Sequence, residues 1–430
     1  MQRHIASFPL APVQAIAIKQ KMLNWAKQFS IFLFLDSNNY KPAYIGYESL
    51  LAAGGTDIIN DDDGDILLKL KQIHTAKSDW IFGHLCYDYK NTLEPQLIST
   101  HTGTTGFPVA GFFIPRTVCH INSAQTILTI ESFDDPYNIY KAINETDIVA
   151  GGLLPKLQFS SVIKKEQYLE AISKLRKHIC DGDCYEINFC NEGYCENVSL
   201  EPLQVFNALN TISPAPFAAY YRHIDKYMMC ASPERYLRKI GDKILSQPIK
   251  GTARRDRNIV KDDEIKEQLR NDIKERAENV MITDLMRNDL ARVCETGSIN
   301  VEELFGIYTF PQVHQMISTV SGTMKAGIHF TDAIRYSFPM GSMTGAPKYK
   351  VMQLIDRYES SRRNLFSGTV GYITPGGDID FNVIIRSLFY NEVNKYLSYQ
   401  TGGAITYDSI AEKEWEEMRL KAWALEQIFA

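Results

Sequence analysis

"ASPERYLRKIGDKILSQPIKGT", residues Ala231 to Thr252, is the segment from which the architecture can be worked out. Two β-rich runs flank Gly241-Asp242, a pair suited to a tight turn, so the segment reads as a β-hairpin whose two ends lie close together. Pro248 and Ile249 stiffen the end of the second run, and Gly251 lets the backbone turn, so Lys250 is the last side chain that this strand delivers. The parity stays open. A two-residue loop pairs Glu234 with Ile249 and turns it away from Lys250, whereas a three-residue loop or one bulge sets Glu234 across from Lys250. Either way a carboxylate and an ammonium are neighbours. On a wet sheet face they make a cross-strand ion pair, and in a desolvated cleft they become a proton acceptor and a nucleophile.

Outward from the hairpin, residues up to about Ile148 alternate short β-like runs ("FSIFLFLDS", "WIFGHLCYDY", "GFFIPRTVCHI", "TILTIESF") with polar stretches such as "NDDDGD". A soft boundary falls near Gly151 and Gly152, dividing a β-rich N-terminal region, 1–150, from a catalytic region, 151–430. After it, Tyr168, Leu169, Ile172, Leu175 and Ile179 recur at helical spacing, followed by a DGD turn and a strand. A helical region from about Asp262 to Cys294 divides near "MITDLMRND" and stops before Gly297. A Gly-rich turn into a helix ("GSMTGAPKYKVMQLIDRYE"), a hairpin at "TPGGD", a strand ending at "TGGA" and a last helix from about Ile410 complete the chain. Interleaved helices with antiparallel hairpins predict an α+β protein rather than a doubly wound parallel sheet.

The chain has 430 residues and a formal net charge of −5, enough length for a full core and no basic footprint for nucleic acid or membrane. No run reaches the ~18 apolar residues of a spanning helix, and "MQRHIASFPLAPVQ" lacks the apolar core of a signal peptide, so a cytoplasmic protein is expected. Cys180, Cys184, Cys190 and Cys195 match no paired zinc spacing and read as reduced thiols.

Glu275 and Glu278 in "KERAEN", and Glu414 and Glu417 in "KEWEE", each share one helical face. Separately they are solvated charges that Lys274, Arg276, Lys413 or Lys421 can satisfy. Face to face, four carboxylates demand a hard divalent ion such as Mg²⁺. In "MGSMTGAPK", Pro347 sits just inside a helix start, and free amides with the Ser342 and Thr344 hydroxyls form either an ordinary cap or an anion seat. Arg386 and the backbone of Gly402, Gly403 and Ala404 offer further anion contacts. His314 is either a proton donor or a satisfied core histidine.

Taken together, "SPERY", "PIKGT", "RAENVMITDLMRNDLARV", "GSMTGAPK", "GTVGYI", "IIRSL" and "GGAITYDSIAEKEWEE" resemble the chorismate-utilising enzymes from about Ser161 to the C-terminus, with a looser likeness over Phe29 to Phe133. Anthranilate synthases usually carry alanine where Lys250 stands, and the lysine form is similar to aminodeoxychorismate synthase component I. That resemblance implies two packed, mainly antiparallel sheets flanked by helices, with the site between layers. It implies that Lys250 attacks C2 of chorismate and expels the C4 hydroxyl, after which ammonia adds at C4 and expels the lysine, giving 4-amino-4-deoxychorismate for p-aminobenzoate and folate synthesis. Direct attack of ammonia at C2 would instead lead to the ortho product, anthranilate.

By the same likeness Glu234 is the general base and His314 assists departure of the hydroxyl. Glu278 and Glu417 lie closest to Mg²⁺, with Glu275 and Glu414 direct or through water. Thr252, Ser342, Thr344, Arg386, Gly402, Gly403, Ala404 and Lys421 belong with the substrate contacts. Phe366 stands where anthranilate synthases tend to have tyrosine, and Ala404 replaces a glycine. Glu186 occupies a position where isochorismate synthases are expected to carry a water-activating lysine, which argues against water as the nucleophile. No glutaminase segment is recognisable, so a separate glutamine amidotransferase subunit, component II, is expected to supply ammonia. The alternatives are anthranilate synthase component I, and a catalytically silent chorismate-binding regulator of an amidotransferase.

Overall fold

The computed structural model describes residues 2–430 except 41–43, 45, 61–63, 149–151 and 311–312. Gly151, half of the expected boundary, therefore lies outside the described residues. The Gly241-Asp242 hairpin forms with a two-residue loop, strands Arg235–Ile240 and Lys243–Gln247 placing Ile240 opposite Lys243. A bulge between Arg235 and Arg238 then sets Arg235 opposite Gln247, so the ladder does not carry Glu234 to Lys250. A second bulge lies just beyond. Strand Ile249–Arg254 runs beside Val313–Thr323 with Ile249 opposite Ile317 and Thr252 opposite Gln315, leaving an extra residue at Lys250-Gly251. Gly251 has φ +93°, a conformation that side chains strain to adopt. Bulges re-aim side chains, and this one delivers Lys250 into the cavity described below.

The strand pairings among the described residues are antiparallel. They trace two sheets that share the long pair Tyr47–Asn60 and Ala110–Asn122. The first half of Ala110–Asn122 pairs with Ile81–Leu85 and its second half with Ile127–Ser132, so each sheet leaves by a different end of one strand. One sheet continues through Ile31–Asp36, Phe217–His223, Lys226–Ser232, Ser387–Asn391 and Tyr396–Ile405 to Glu186–Cys195. The other continues through Thr369–Ile373, Ile379–Asn382 and the hairpin to Val313–Thr323. Strands from before and after the Gly151 region thus lie side by side in one sheet.

Period-two alternation splits the core. Leu33, Leu50 and Ala52 face an interior that also holds Phe82, Leu237 and Val320 of the other sheet, whereas Phe32, Phe34, Leu51 and Ala53 face outer helices through Met22, Phe206 and Leu425. With both faces buried, "FLFL" and "LLAA" are apolar throughout rather than alternating.

Helices Lys165–Cys180 and Ala411–Gln427 fall where the periodicity places them, Tyr168, Ile172 and Leu175 facing inward. The expected break near "MITDLMRND" is corrected. The chain divides at Asp272, between Ile259–Asn271 and Ile273–Ala291, because the Asp272 carboxylate accepts from the Glu275 N–H and caps a new helix. Glu275 and Glu278 therefore occupy the first turns of that helix. No helix among the described residues is long and apolar enough to cross a membrane.

Candidate active site

A cavity of about 850 Å³ opens where the two sheets meet helices Ile273–Ala291 and Ala411–Gln427, large enough for a small-molecule substrate. Lys250 lines it, 8% exposed. Its Nζ donates to Glu186 Oε1 at 2.5 Å, and Glu186 is wholly buried. Burial pulls the Lys250 ammonium down, but Glu186, Glu278 and Glu234 outweigh it and hold the group above its usual range. Glu234 is a neighbour of Lys250 without being its hydrogen-bond partner. Burial drives the Glu234 carboxyl up to about 7, opposed by the Ser342 hydroxyl, Lys250, the Ile249 amide and Arg386. A carboxyl near 7 exchanges protons readily at neutral pH.

The anion side of the cavity is built by backbone turns. Arg386 sits at φ +52°, an uncommon conformation for a side-chain-bearing residue, and its half-buried guanidinium has no ion pair or hydrogen bond of its own among the described residues. Burial lowers it to about 10, with Glu234 pulling the other way. An unpartnered, partly desolvated guanidinium favours a bound carboxylate. Ser342, Thr252, Gly402 and Ala404 share the same walls. Lys421 donates to Gly402 O at 2.9 Å and pairs with Glu417 at 2.7 Å. Phe366 supplies an apolar wall.

Glu275, Glu278 and Glu417 line the cavity, and Glu414 lies behind them. Lys274 joins the two helices, 3.7 Å from Glu278 and 3.6 Å from Glu414, and Glu417 and Glu275 also act on its charge. Burial raises Glu278 to about 7 and, with Glu417, raises Glu275. Lys421 holds Glu417 low against burial. The Glu414 Oε2 is buried without a hydrogen-bond partner. Among the described residues no group of three acidic, histidine or cysteine side chains is already gathered to hold a metal ion, Lys274 lying between the helices instead. The donor type fits a hard divalent cation, since both helices present carboxylates to this side of the cavity and one carboxylate oxygen is orphaned, although the side chains are not gathered around one point.

Several expected residues sit elsewhere. His314 is buried off the cavity wall, Nε2 3.0 Å from Asp262 Oδ1 and Nδ1 3.0 Å from Thr309 Oγ1, while Arg255 clamps the same aspartate at 2.7 Å. Both ring nitrogens are thus engaged. The Thr344 hydroxyl turns inward and donates to Met340 O at 2.9 Å, closing its own turn rather than facing the cavity. Gly403 is not among the lining residues; a β-carbon there would lie 3.4 Å from Glu414 and 3.5 Å from Glu417. The Glu186 contact with Lys250 was not foreseen; the one signal was a glutamate opening strand Glu186–Cys195, directly after "GDCY". Also unforeseen is Arg363, buried against Glu359 at 2.6 Å, which donates to Met343 O and Asn188 O and so ties the Ser342 turn to the Glu186 strand.

A family described as chorismate binding enzyme matches residues 32–427. The chain is 40% identical over 270 residues to an aminodeoxychorismate synthase of Streptomyces pristinaespiralis, covering 63% of this chain and 37% of that protein. It is 36% identical over 291 residues to aminodeoxychorismate synthase component 1 of Klebsiella aerogenes, covering 67% of this chain and 64% of that one. The match thus spans less than two thirds of the length of these relatives. In fold it resembles anthranilate synthase component I from Streptococcus pneumoniae TIGR4, with TM-score 0.78 and 24% identity over 90% of this chain and 93% of that one. With the family pattern running through both sheets and the helices that enclose the cavity, the chain belongs to the chorismate-binding enzymes.

Proposed function

We propose that the chain is the chorismate-aminating component of an aminodeoxychorismate synthase. The observation that carries this reading is Lys250, turned by the Gly251 bulge into a cavity that also presents Arg386, Ser342 and Glu234. As a free amine, Lys250 attacks C2 of chorismate. The ring double bond shifts, the C4–O bond breaks, and the hydroxyl leaves as water with a proton from Glu234. Ammonia then attacks C4, the double bond shifts back, and the C2–N bond to Lys250 breaks. The proton shed by the new ammonium returns to Glu234, leaving 4-amino-4-deoxychorismate. Two allylic shifts restore the para position, and the lysine meanwhile blocks C2 against ammonia.

Arg386, Ser342 and the Gly402–Ala404 backbone hold the substrate's carboxylates in this reading. Glu278 and Glu417, with Glu275 and Glu414, would hold Mg²⁺, which when bound supplies positive charge for the ring carboxylate. His314 reaches the leaving hydroxyl only if Asp262 releases it, so the first proton is assigned to Glu234. Ammonia comes from a separate glutamine amidotransferase subunit, as the component 1 naming of the relatives suggests, and the pair works in the cytoplasm.

Purified chain given chorismate, Mg²⁺ and an ammonium salt should form 4-amino-4-deoxychorismate, read by chromatography and mass spectrometry. With glutamine alone it should form none until the amidotransferase subunit is added. Full glutamine-dependent turnover by this chain unaided would sink the partner. Fluorescent anthranilate as the main product would favour anthranilate synthase instead.

A further inference from the structure

Lys250 presents a difficulty that the proposed reaction does not resolve. An ammonium has no lone pair, and this one is enclosed by carboxylates. Among the described residues, Glu186 is the carboxylate that Lys250 reaches at ion-pair distance. Glu234 and Glu278 act on it from farther away, and Glu278 is itself tied up with Lys274 and Glu275. Glu186 lies on strand Glu186–Cys195, in the other sheet from the hairpin, and does not line the cavity. Its Oε1 accepts from Lys250 at 2.5 Å, while its Oε2 is buried and accepts from nothing. Among the described residues, Lys250 is thus the hydrogen-bond partner of a wholly buried carboxylate whose second oxygen is left without a hydrogen bond. Moving one proton along a 2.5 Å contact removes both charges without exposing either group to water.

We propose that Glu186 is the proton partner of Lys250 in each turnover. It takes one proton from the Lys250 ammonium as the substrate closes the site, leaving an amine lone pair directed at C2. The glutamic acid keeps that proton while the C2–N bond exists, and returns it to the amine when ammonia has expelled the lysine. No external acid or base is consumed. Glu234 meanwhile handles the separate proton that leaves with the hydroxyl and returns from the ammonia. The assignment rests on the reading of Lys250 as nucleophile, so its test needs one readout that does not depend on turnover.

The first readout is pH-dependent reductive methylation of Lys250 by formaldehyde and cyanoborohydride, followed by peptide mass spectrometry. Glu186→Gln keeps the shape and an acceptor oxygen but removes the charge, so the labelling midpoint of Lys250 should fall by about one pH unit or more. The second is aminodeoxychorismate formation from ammonia. Glu186→Gln should lower kcat about a hundredfold at pH 7, with the loss shrinking as the pH rises and free lysine becomes available from solvent. Glu186→Asp, which restores a carboxylate, should recover part of the rate.

An unmoved midpoint beside normal wild-type activity would overturn the proton partnership alone. A moved midpoint with kcat at pH 7 equal to or above wild type would overturn the transfer step, leaving Glu186 as a brake on the lysine. A loss equal at every pH and not relieved by aspartate would reduce Glu186 to a structural support and overturn the proposal. If the wild-type chain makes no aminodeoxychorismate while the midpoint still moves, the functional reading fails and takes the turnover step with it.

Discussion

Replacing Glu234 by glutamine should make the protein more stable above neutrality while removing its activity. The Glu234 carboxyl ordinarily titrates at 4.5 and is raised to about 7 by burial, in spite of Ser342, Lys250, Ile249 and Arg386. Below the ordinary value it is protonated in both folded and unfolded chains, so it costs nothing. As the pH rises between the two values the unfolded chain releases a proton that the folded chain retains, so stability falls with pH. Above 7 the folded chain carries the full penalty, about 3 kcal/mol. Glutamine accepts the same hydrogen bonds without a charge. For a chain of this length that difference corresponds to about 3 °C in Tm. Thermal melts of wild type and Glu234→Gln at pH 4.5 and pH 8 check it. The variant should melt higher at pH 8 and level with wild type at pH 4.5, with kcat reduced about a hundredfold at pH 7. A variant that melts lower at pH 8, or whose advantage is the same at both pH values, would refute the view that this carboxylate is held ionisable against its burial.

Gly251→Ala places a β-carbon at φ +93° and 3.2 Å from the Glu275 carboxylate. It should cost about 1–3 kcal/mol, visible in urea melts, and lower kcat about tenfold or more by turning Lys250 off its line. Arg363→Ala leaves Glu359 buried and unpaired, so it should cost about 3–5 kcal/mol, with the Arg363/Glu359 double alanine variant losing less than the sum. Saturating Mg²⁺ should raise Tm by about 3 °C, and Glu278→Gln or Glu414→Ala should remove that rise; a shift indifferent to these residues would place the ion elsewhere.

The hairpin was legible because a Gly-Asp turn and period-two strands are local signals. The proximity of Glu234 and Lys250, though not their pairing, followed from it, and the site helix Ala411–Gln427 was legible from its spacing. The Lys250–Glu186 contact was not legible. It joins residues 64 apart on strands of different sheets, and nothing within "GDCYEINF" says which side chain that glutamate will meet. The bulge at Lys250-Gly251 depends on register against Val313–Thr323, which a single strand's sequence does not encode. Residue type left Thr344 as either a cap or an anion seat and His314 as either a proton donor or a core histidine, and only the family resemblance aimed them at a ligand. In the folded chain, Thr344 satisfies carbonyls of its own turn and His314 is claimed by Asp262, partners that become visible only in three dimensions. The helix break at Asp272 was missed because the apolar period continues across it, while the cap that makes it is a single side chain.

The most direct measurement of the central claim is the product made from chorismate and ammonia by the wild-type chain and by Lys250→Ala, resolved by chromatography and mass spectrometry. The account predicts 4-amino-4-deoxychorismate from the wild type, and from the variant either loss of that product or drift towards the ortho isomer. Undiminished 4-amino-4-deoxychorismate from Lys250→Ala, or anthranilate from the wild type, would contradict it.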